Sequence, residues 1–420
     1  MNILIANWKW DEGGGDWTYI KNIIELYTKK GHHIIPFSTK DGRNGPSAFS
    51  EYYVERLDYE SISKKKTLKN SYDVLCRSIY SKDSRSKIFQ LLRKNRVDLA
   101  HLNNIHNHLT PSIIPVLKKK NVPIIWTLHD YKIMCPNATL YNKSGLCEKC
   151  QAHNYLFCLF NRCKRNSYSA SLVAALESYL FSFMNIYRYV DVFICPSDIV
   201  CDKVAESGIP RHKIVKIPHL YDSAEIDEIY FGTTEEDPSA SYILFLGRLE
   251  PNKGVLTLLR AMKMLPDIRL LIAGTGSQEK ELIDYIRLHN LDNVEVLGSL
   301  SKPEALKKIR MAKIIVCPSE WLEVFGYVIT ESMMMGKPVI ASNIGAIPEL
   351  IVDEVTGILF KPGDDQQLAQ KIRWVFSDTA LRKKIGQNAR THAKGISDME
   401  TYYKALTAIF SSLGLKATDI

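Results

Sequence analysis

Between Tyr242 and Ser342 the chain alternates short apolar runs with amphipathic stretches of about ten residues, and this leaves few folds open. The runs are Tyr242–Gly247, Ile268–Gly274, Val294–Leu297, Ile314–Cys317 and Pro338–Ser342, rich in Ile, Val and Leu. Val255–Met264 and Glu279–Leu288 are two of the amphipathic stretches between them. Strands buried on both faces read as continuous apolar runs, and their alternation with helices requires a parallel sheet. The spacing therefore predicts a doubly wound α/β domain here. The N-terminal half repeats the rhythm with runs at Ile3–Ala6, His33–Pro36, Val97–Leu102, Pro123–Leu128 and Val192–Cys195. It is interrupted by segments 50–95 and 131–185, which are rich in Tyr, Lys, Arg and Cys.

A chain of 420 residues exceeds one ordinary core and suggests two or three domains. The polar, aperiodic stretch 223–241 reads as a linker. The organisation expected is thus an N-terminal Rossmann-like domain over 1–222, with a Cys-rich insertion at about 131–185, and a second domain over 242–394. Residues 395–420 return to helical spacing, with Met399, Tyr402, Tyr403, Leu406 and Ile409 on one apolar face. Two doubly wound domains imply a cleft in which the C-terminal ends of both sheets face a shared ligand.

Glycine-rich turns after strands are natural phosphate sites, and two occur, at Gly13–Gly15 and Gly274-Thr275-Gly276. Neither completes G-x-G-x-x-G, since Thr18 and Glu279 stand where the third glycine belongs, and no G-x-x-x-x-G-K-[ST] occurs. Hydride transfer and ATP hydrolysis lose ground accordingly. The richer segment is Cys317–Glu331, in which a buried strand ends, a loop follows and a helix begins near Phe325. The unpaired amides of a helix start suit a diphosphate, and Gly326 permits close approach. Glu323 and Glu331 are placed to accept hydrogen bonds from sugar hydroxyls at one cleft mouth. Arg248 and Lys253, five apart at another strand end, are suited to neutralising a leaving diphosphate.

These residues resemble the donor-binding domain of retaining glycosyltransferases of family 4, which have the GT-B fold. The likeness runs through Gly247-Arg248 with Lys253-Gly254, then Ala273–Gly276, then Glu323 and Glu331 around Phe325-Gly326. It continues in family order through Gly336–Ser342, Gly345–Glu349 and Thr356-Gly357. It extends weakly over the first half, where Gly13–Gly15 and Leu128–Tyr131 match. Pro218-His219-Leu220 and Asp16-Trp17 depart from the family pattern, on the acceptor side.

The resemblance implies catalytic roles for His129, Arg248, Lys253 and Glu323. Arg248 and Lys253 would hold the diphosphate, Glu331 the ribose, and Glu323 the donor sugar. The amides of Val324, Phe325 and Gly326 would lie close to sugar and phosphate. Gly247 and Gly274 would border the donor, and Gly298 to Leu300 would meet the base. Gly14 and Gly15 would approach phosphate or acceptor, and His129 would point into the cleft beside the donor sugar. The implied reaction is retaining transfer of a hexose or N-acetylhexosamine from a nucleotide-sugar, with a UDP-sugar favoured. The acceptor would be a glycan or polyprenyl-linked glycan in surface polysaccharide assembly. No divalent metal is required for that chemistry. A GT-B nucleotide-sugar epimerase is the nearest alternative, separable by product analysis without acceptor.

Nine cysteines in a chain with no signal-peptide start read as free thiols or metal ligands, and a cytoplasmic location is expected. Cys147-x2-Cys150-x7-Cys158-x4-Cys163, with Cys135 nearby, is compatible with a structural zinc site or with four reduced thiols. Charge is divided unevenly: residues 1–220 carry 32 Lys and Arg against 19 Asp and Glu, and the remainder 23 against 27. A basic half faces either nucleic acid or an anionic membrane surface, or is merely soluble. No helix-turn-helix or RNA-binding signature supports nucleic acid. Aromatics interleaved with basic residues over 155–184, and the runs Lys64–Lys66 and Lys118–Lys120, suit peripheral contact with the inner face of a membrane. No apolar run reaches the eighteen residues of a spanning helix.

Overall fold

The computed structural model describes residues 1–10, 15–56, 77–106, 108–221, 224–232, 241–396 and 398–416. Contacts divide the chain into two units, Met1–Tyr221 with Met399–Ile420, and Asp222–Asp398.

The first unit is built on β1 (Asn2–Ala6), α1 (Gly15–Lys29), β2 (His33–Phe37), β3 (Leu99–Leu102), β4 (Ile124–Thr127), β5 (Val192–Cys195) and β6 (Ile214–Lys216). The sheet order is β6-β5-β4-β3-β1-β2, with every pair parallel. Ile3, Leu4 and Ile5 are wholly buried, as a strand covered on both faces requires. The order reverses at β1 and β3, so the loops after these strands open a crevice at their carboxyl ends. The Cys-rich insertion follows β4 and holds a short hairpin (Tyr141–Asn142 with Gly145–Leu146), α2 (Leu156–Phe160) and α3 (Tyr168–Phe183).

Within the segment expected as a linker, Ala224–Gly232 is helical and buries Ile226 in the second unit. Nine residues of mixed polarity were too few to show a helical period. The second unit follows with β7 (Tyr242–Leu246), β8 (Arg269–Ala273), β9 (Val294–Gly298), α4 (Lys302–Met311), β10 (Ile314–Cys317), α5 (Tyr327–Met334), β11 (Val339–Ser342) and β12 (Ile358–Phe360). Its order is β9-β8-β7-β10-β11-β12, again all parallel, with the reversal between β7 and β10. The core is aliphatic, centred on Ile243, Leu258, Leu270, Ile314 and Ile340.

The last helix, α6 (Met399–Ser412), belongs to the first unit. Tyr402, Leu406, Ile409 and Phe410 are its buried positions. Tyr402 hydrogen-bonds Tyr19 (2.6 Å), Tyr403 reaches His32 (2.9 Å), and Glu400 pairs with Lys30 (2.8 Å). No helix among the described residues is long and apolar enough to cross a membrane.

Candidate donor site

The loops after β7 and β10 meet at the switch point of the second sheet because glycines let their backbones touch. A Cβ on Gly254 would stand 1.8 Å from the Pro318 carbonyl oxygen, and Gly254 has φ +68°. The Glu320 amide donates to the Asn252 carbonyl (2.9 Å), and Thr257 donates to the Glu320 carboxylate (2.5 Å). Gly345, φ +62°, closes the other side: a Cβ there would lie 2.3 Å from the Glu323 nitrogen. The Ala346 amide donates to the Glu323 carbonyl at 2.8 Å. Glu323 is thus held by its backbone before any side-chain contact is counted.

Its carboxylate receives Lys253 Nζ at 2.6 Å and Ser319 Oγ at 2.5 Å on the same oxygen. The Lys253 ammonium also lies 5.0 Å from the centre of the Trp321 ring. Burial pushes the Glu323 pKa up, but the Lys253 charge and hydrogen bonds from Lys253, Ser319 and Trp321 outweigh it. The carboxyl is held below its usual range and is ionised near neutrality. Burial, with the Glu323 charge, drives the neighbouring Cys317 thiol up to about 12. Cys317 is therefore no nucleophile near neutrality.

Glu331, on α5, is buried and pairs with Lys302, the first residue of α4. The α4 start is fixed by a capping box between Ser301 and Glu304. Lys302 escaped sequence reading, although Ser301-Lys302-Pro303-Glu304 is itself a helix-start signature. Arg248 is exposed, and among the described residues no ion pair engages it. The α5 helix begins at Tyr327 with Gly326 (φ +121°) as its cap, two residues beyond the expected start. Val324 and Phe325 are buried in the loop before it. Gly247 and Gly274 lock adjacent turns, since a Cβ on Gly274 would sit 1.8 Å from the Gly247 oxygen. Gly298 (φ +73°) has open space where a side chain would stand, and Leu300 is half-buried.

In the first unit, His129 follows β4 and its Nε2 lies 3.0 Å from Asn103 Oδ1. Its ring packs against Tyr19 (4.9 Å) and His219 (4.8 Å). Burial pushes the His129 pKa down to about 4 against the opposing charge of Asp16, so the imidazole is neutral near pH 7. Gly15 opens α1 and is exposed; Gly14 lies outside the described residues, as do Lys64–Lys66. Asn103, Tyr19 and Asp16, which accepts from Asn104 (3.1 Å), were not singled out as site residues; a polar residue closing an apolar strand was the available signal for Asn103.

The four insertion cysteines come together with Cys135 around one small cavity. As they stand, no group of three or more His, Cys, Asp or Glu among the described residues is arranged to hold a metal ion.

Two Rossmann-like parallel sheets with loops of this kind define the GT-B class. Its solved members include Anabaena HepE in complex with UDP-glucose, which is 19% identical, with a TM-score of 0.67 over 98% of this chain and all of that one. The model for Glycosyltransferase Family 4 matches residues 13–225, and that for Glycosyl transferases group 1 matches residues 227–392. The chain belongs to glycosyltransferase family 4. Sequence relatives include an uncharacterized glycosyltransferase of Methanocaldococcus jannaschii, 32% identical over 40% of this chain and 49% of that protein. A glycogen synthase of Mycobacterium tuberculosis is 34% identical over 57% of this chain and 56% of its own length. The chain spans about half the length of these relatives.

Proposed function

We propose that this protein is a retaining glycosyltransferase. It moves a hexose or N-acetylhexosamine from a nucleotide-sugar, a UDP-sugar foremost, to a glycan or polyprenyl-linked glycan in surface polysaccharide assembly. The observation that carries this reading is the Lys253–Glu323 pair at the switch point, an ammonium and an ionised carboxylate on glycine-locked loops. A nucleotide-sugar needs both signs of charge within one site. Cations take its diphosphate, and a carboxylate takes its hydroxyls. The UDP-glucose bound by the Anabaena protein supports the choice of donor.

In this reading Arg248 and Lys253 neutralise the diphosphate as the anomeric C–O bond breaks. The amides of Val324, Phe325 and Gly326 add the field of the α5 start. Glu323 accepts from the sugar hydroxyls, Glu331 from the ribose, and the Gly298–Leu300 backbone meets the base. The acceptor hydroxyl forms the new glycosidic bond on the same face and passes its proton to the leaving diphosphate, without a divalent metal. From the first unit, His129 and Gly15 serve the transfer step, the neutral imidazole being able to accept a hydrogen bond.

Calorimetry against UDP, GDP and ADP tests the donor. UDP should bind tightest, and Arg248→Ala should weaken it by roughly tenfold or more. Equal, weak binding of all three would overturn the donor assignment. Product analysis tests the rest: an inverted anomeric linkage rules out retention, and an epimerised nucleotide-sugar formed without acceptor would favour the epimerase.

Peripheral contact with an anionic membrane belongs to the same proposal, and the insertion is its proposed seat. Phe160 is 68% and Phe183 90% exposed, and Tyr168, Leu172 and Leu176 repeat at four-residue spacing along α3. Arg162 lies over the Tyr168 ring at 5.2 Å, so cation and apolar face are adjacent. The protein should co-sediment with phosphatidylglycerol vesicles and not with phosphatidylcholine vesicles. Absence of binding to both would remove the membrane from the proposal.

A further inference from the structure

We propose that Glu177, on the insertion helix α3, is a positioning residue for the loop carrying His129 and Asp130, acting through a buried ion pair with Lys132. Neither Glu177 nor Lys132 figures in the family likeness. The effect on turnover rests on the transfer reaction proposed above; the anchoring of the loop does not.

The first observation is a charge where packing asks for none. The buried positions of α3 are Ser171, Ala174, Ala175, Glu177 and Phe181, so Glu177 is the one charged side chain on an inner face that is otherwise small and apolar. Ala174, Glu177 and Phe181 fall at i, i+3 and i+7, the inward stripe of a helix. Leu176, the next residue toward the N-terminus, is exposed on the other side. The Glu177 Oε2 receives Lys132 Nζ at 2.7 Å, with the two side chains 6% and 4% exposed. The Glu177 Oε1 accepts no hydrogen bond from the described residues, so the ammonium is what fixes this carboxylate.

Stability does not account for such a pair. Taking two charges out of water offsets most of their attraction, and apolar side chains of similar volume often hold a fold as well or better. What the pair adds is direction. A charge-assisted hydrogen bond fixes one atom of the helix against one atom of the loop, where an apolar contact permits sliding.

The second observation is where Lys132 leads. Its amide donates to Asp130 Oδ1 (2.8 Å), and its ammonium also donates to the Pro136 carbonyl (3.1 Å). The Tyr131 amide donates to the Ala138 carbonyl (3.1 Å), and the Cys135 amide to the Tyr131 carbonyl (2.8 Å). The loop therefore closes on itself around Lys132, and the same residue grips Asp130 by its backbone and Glu177 by its side chain. Burial pushes the Asp130 carboxyl up, against the Lys132 amide and the charges of Lys132 and Lys164. His129 precedes Asp130, with its Nε2 3.0 Å from Asn103 Oδ1. A shift of Lys132 thus moves the imidazole that the transfer step uses, although neither Lys132 nor Glu177 need touch substrate.

The test replaces the pair in the full chain by apolar side chains, Lys132→Met together with Glu177→Leu. This double variant should keep a Tm near the wild-type value and an unchanged UDP affinity. Its kcat with UDP-glucose should fall roughly tenfold or more with little change in KM, since small misplacements are costly at a reacting centre. Wild-type kcat in a double variant that folds would overturn the positioning role. Glu177→Gln, which keeps the shape and removes the charge, carries the test should the double variant not fold. It should raise hydrogen exchange of the 129–135 amides and leave those of β4 unchanged; unchanged exchange in the loop would overturn the anchoring. Lys203→Ala cuts another tie of the same insertion, the Lys203–Glu148 pair (2.9 Å), and should leave both kcat and loop exchange as they are. An equal loss of kcat there would show that any loosening of the insertion suffices, and would overturn the specific role of Glu177. A wild-type chain that turns over no UDP-glucose counts against the transfer reaction instead, and the exchange measurement then decides the anchoring by itself.

Discussion

At its switch point the second unit places charges on glycine-locked loops, whereas the first fills the same part of its sheet with a buried chain of histidines and tyrosines. In the second unit Lys253–Glu323 and Lys302–Glu331 are ion pairs. In the first, Tyr27 meets His101 (3.0 Å), His101 meets Thr127 (2.8 Å), Thr127 meets Tyr19 (3.0 Å), and Tyr19 meets Tyr402. The same parallel topology thus supports two electrostatic regimes. One concentrates paired charges; the other stays neutral and is sensitive to protons.

The largest expected effect breaks the charged regime. Lys253→Ala should lower turnover roughly 10²–10³-fold, since it removes one preorganised cation and leaves Glu323 buried without its ammonium. Steady-state kinetics on the variant decide the matter, and turnover near the wild-type value would mean that the pair is only structural.

Next comes acid. Burial pushes His101 down to about 3 and His108 to about 4, and His106 and His219 well below the usual imidazole range. The unfolded chain takes up these protons near pH 6.5 and the folded unit does not. Stability contributed by the neutral imidazoles is therefore complete above about pH 6.5 and falls as pH drops toward the folded values, by up to ~1.4 kcal/mol per pH unit per group. In the second unit, the described histidines His289 and His392 are only half-buried. Its depressed carboxyl, Glu323, loses its contribution only on further acidification, below the ordinary carboxylate range. Hydrogen exchange between pH 7 and 4 should show residues 1–221 losing protection before 241–396. Simultaneous loss would erase the contrast.

The smallest effect sharpens it. Tyr402→Phe removes one hydroxyl from the buried chain and should cost ~1 kcal/mol, read as a lower Tm in a transition that can be assigned to the first unit. A shift confined to the second unit would show that this hydroxyl chain does not stabilise its own unit.

The contrast also explains what could be read from sequence. Strands such as Tyr242–Leu246 and Ile314–Cys317 were visible because burial on both faces writes continuous apolar runs. The edge strands β6 and β12, of three residues each, were not, being too short to set a pattern. Glu323 and Lys253 were legible as separate candidates, the first eight residues from Glu331 and the second five from Arg248, each in a loop after an apolar run. Their direct contact depends on Gly254 and Gly345, whose role is a matter of backbone distance and not of local pattern. Lys302 joined Glu331 from another helix, a relation that no spacing rule encodes. His101, inside the apolar run Leu99–Leu102, was a buried histidine in plain view, but its partners Tyr27 and Thr127 come from two other elements.

One consequence concerns the ribosome. The helix Met399–Ser412 completes the first unit, yet it is translated after the whole of the second. A nascent chain therefore carries Tyr19, Tyr27 and His32 without their partners Tyr402, Phe410 and Tyr403 until residues 402–410 emerge. The usual vectorial order, in which the N-terminal domain matures first, is inverted here. The contiguous second unit is free to fold before Met399–Ser412 is made, while the first waits for that helix as an open sheet with one side unfilled. Chaperone dependence and cotranslational misfolding should concentrate in that interval.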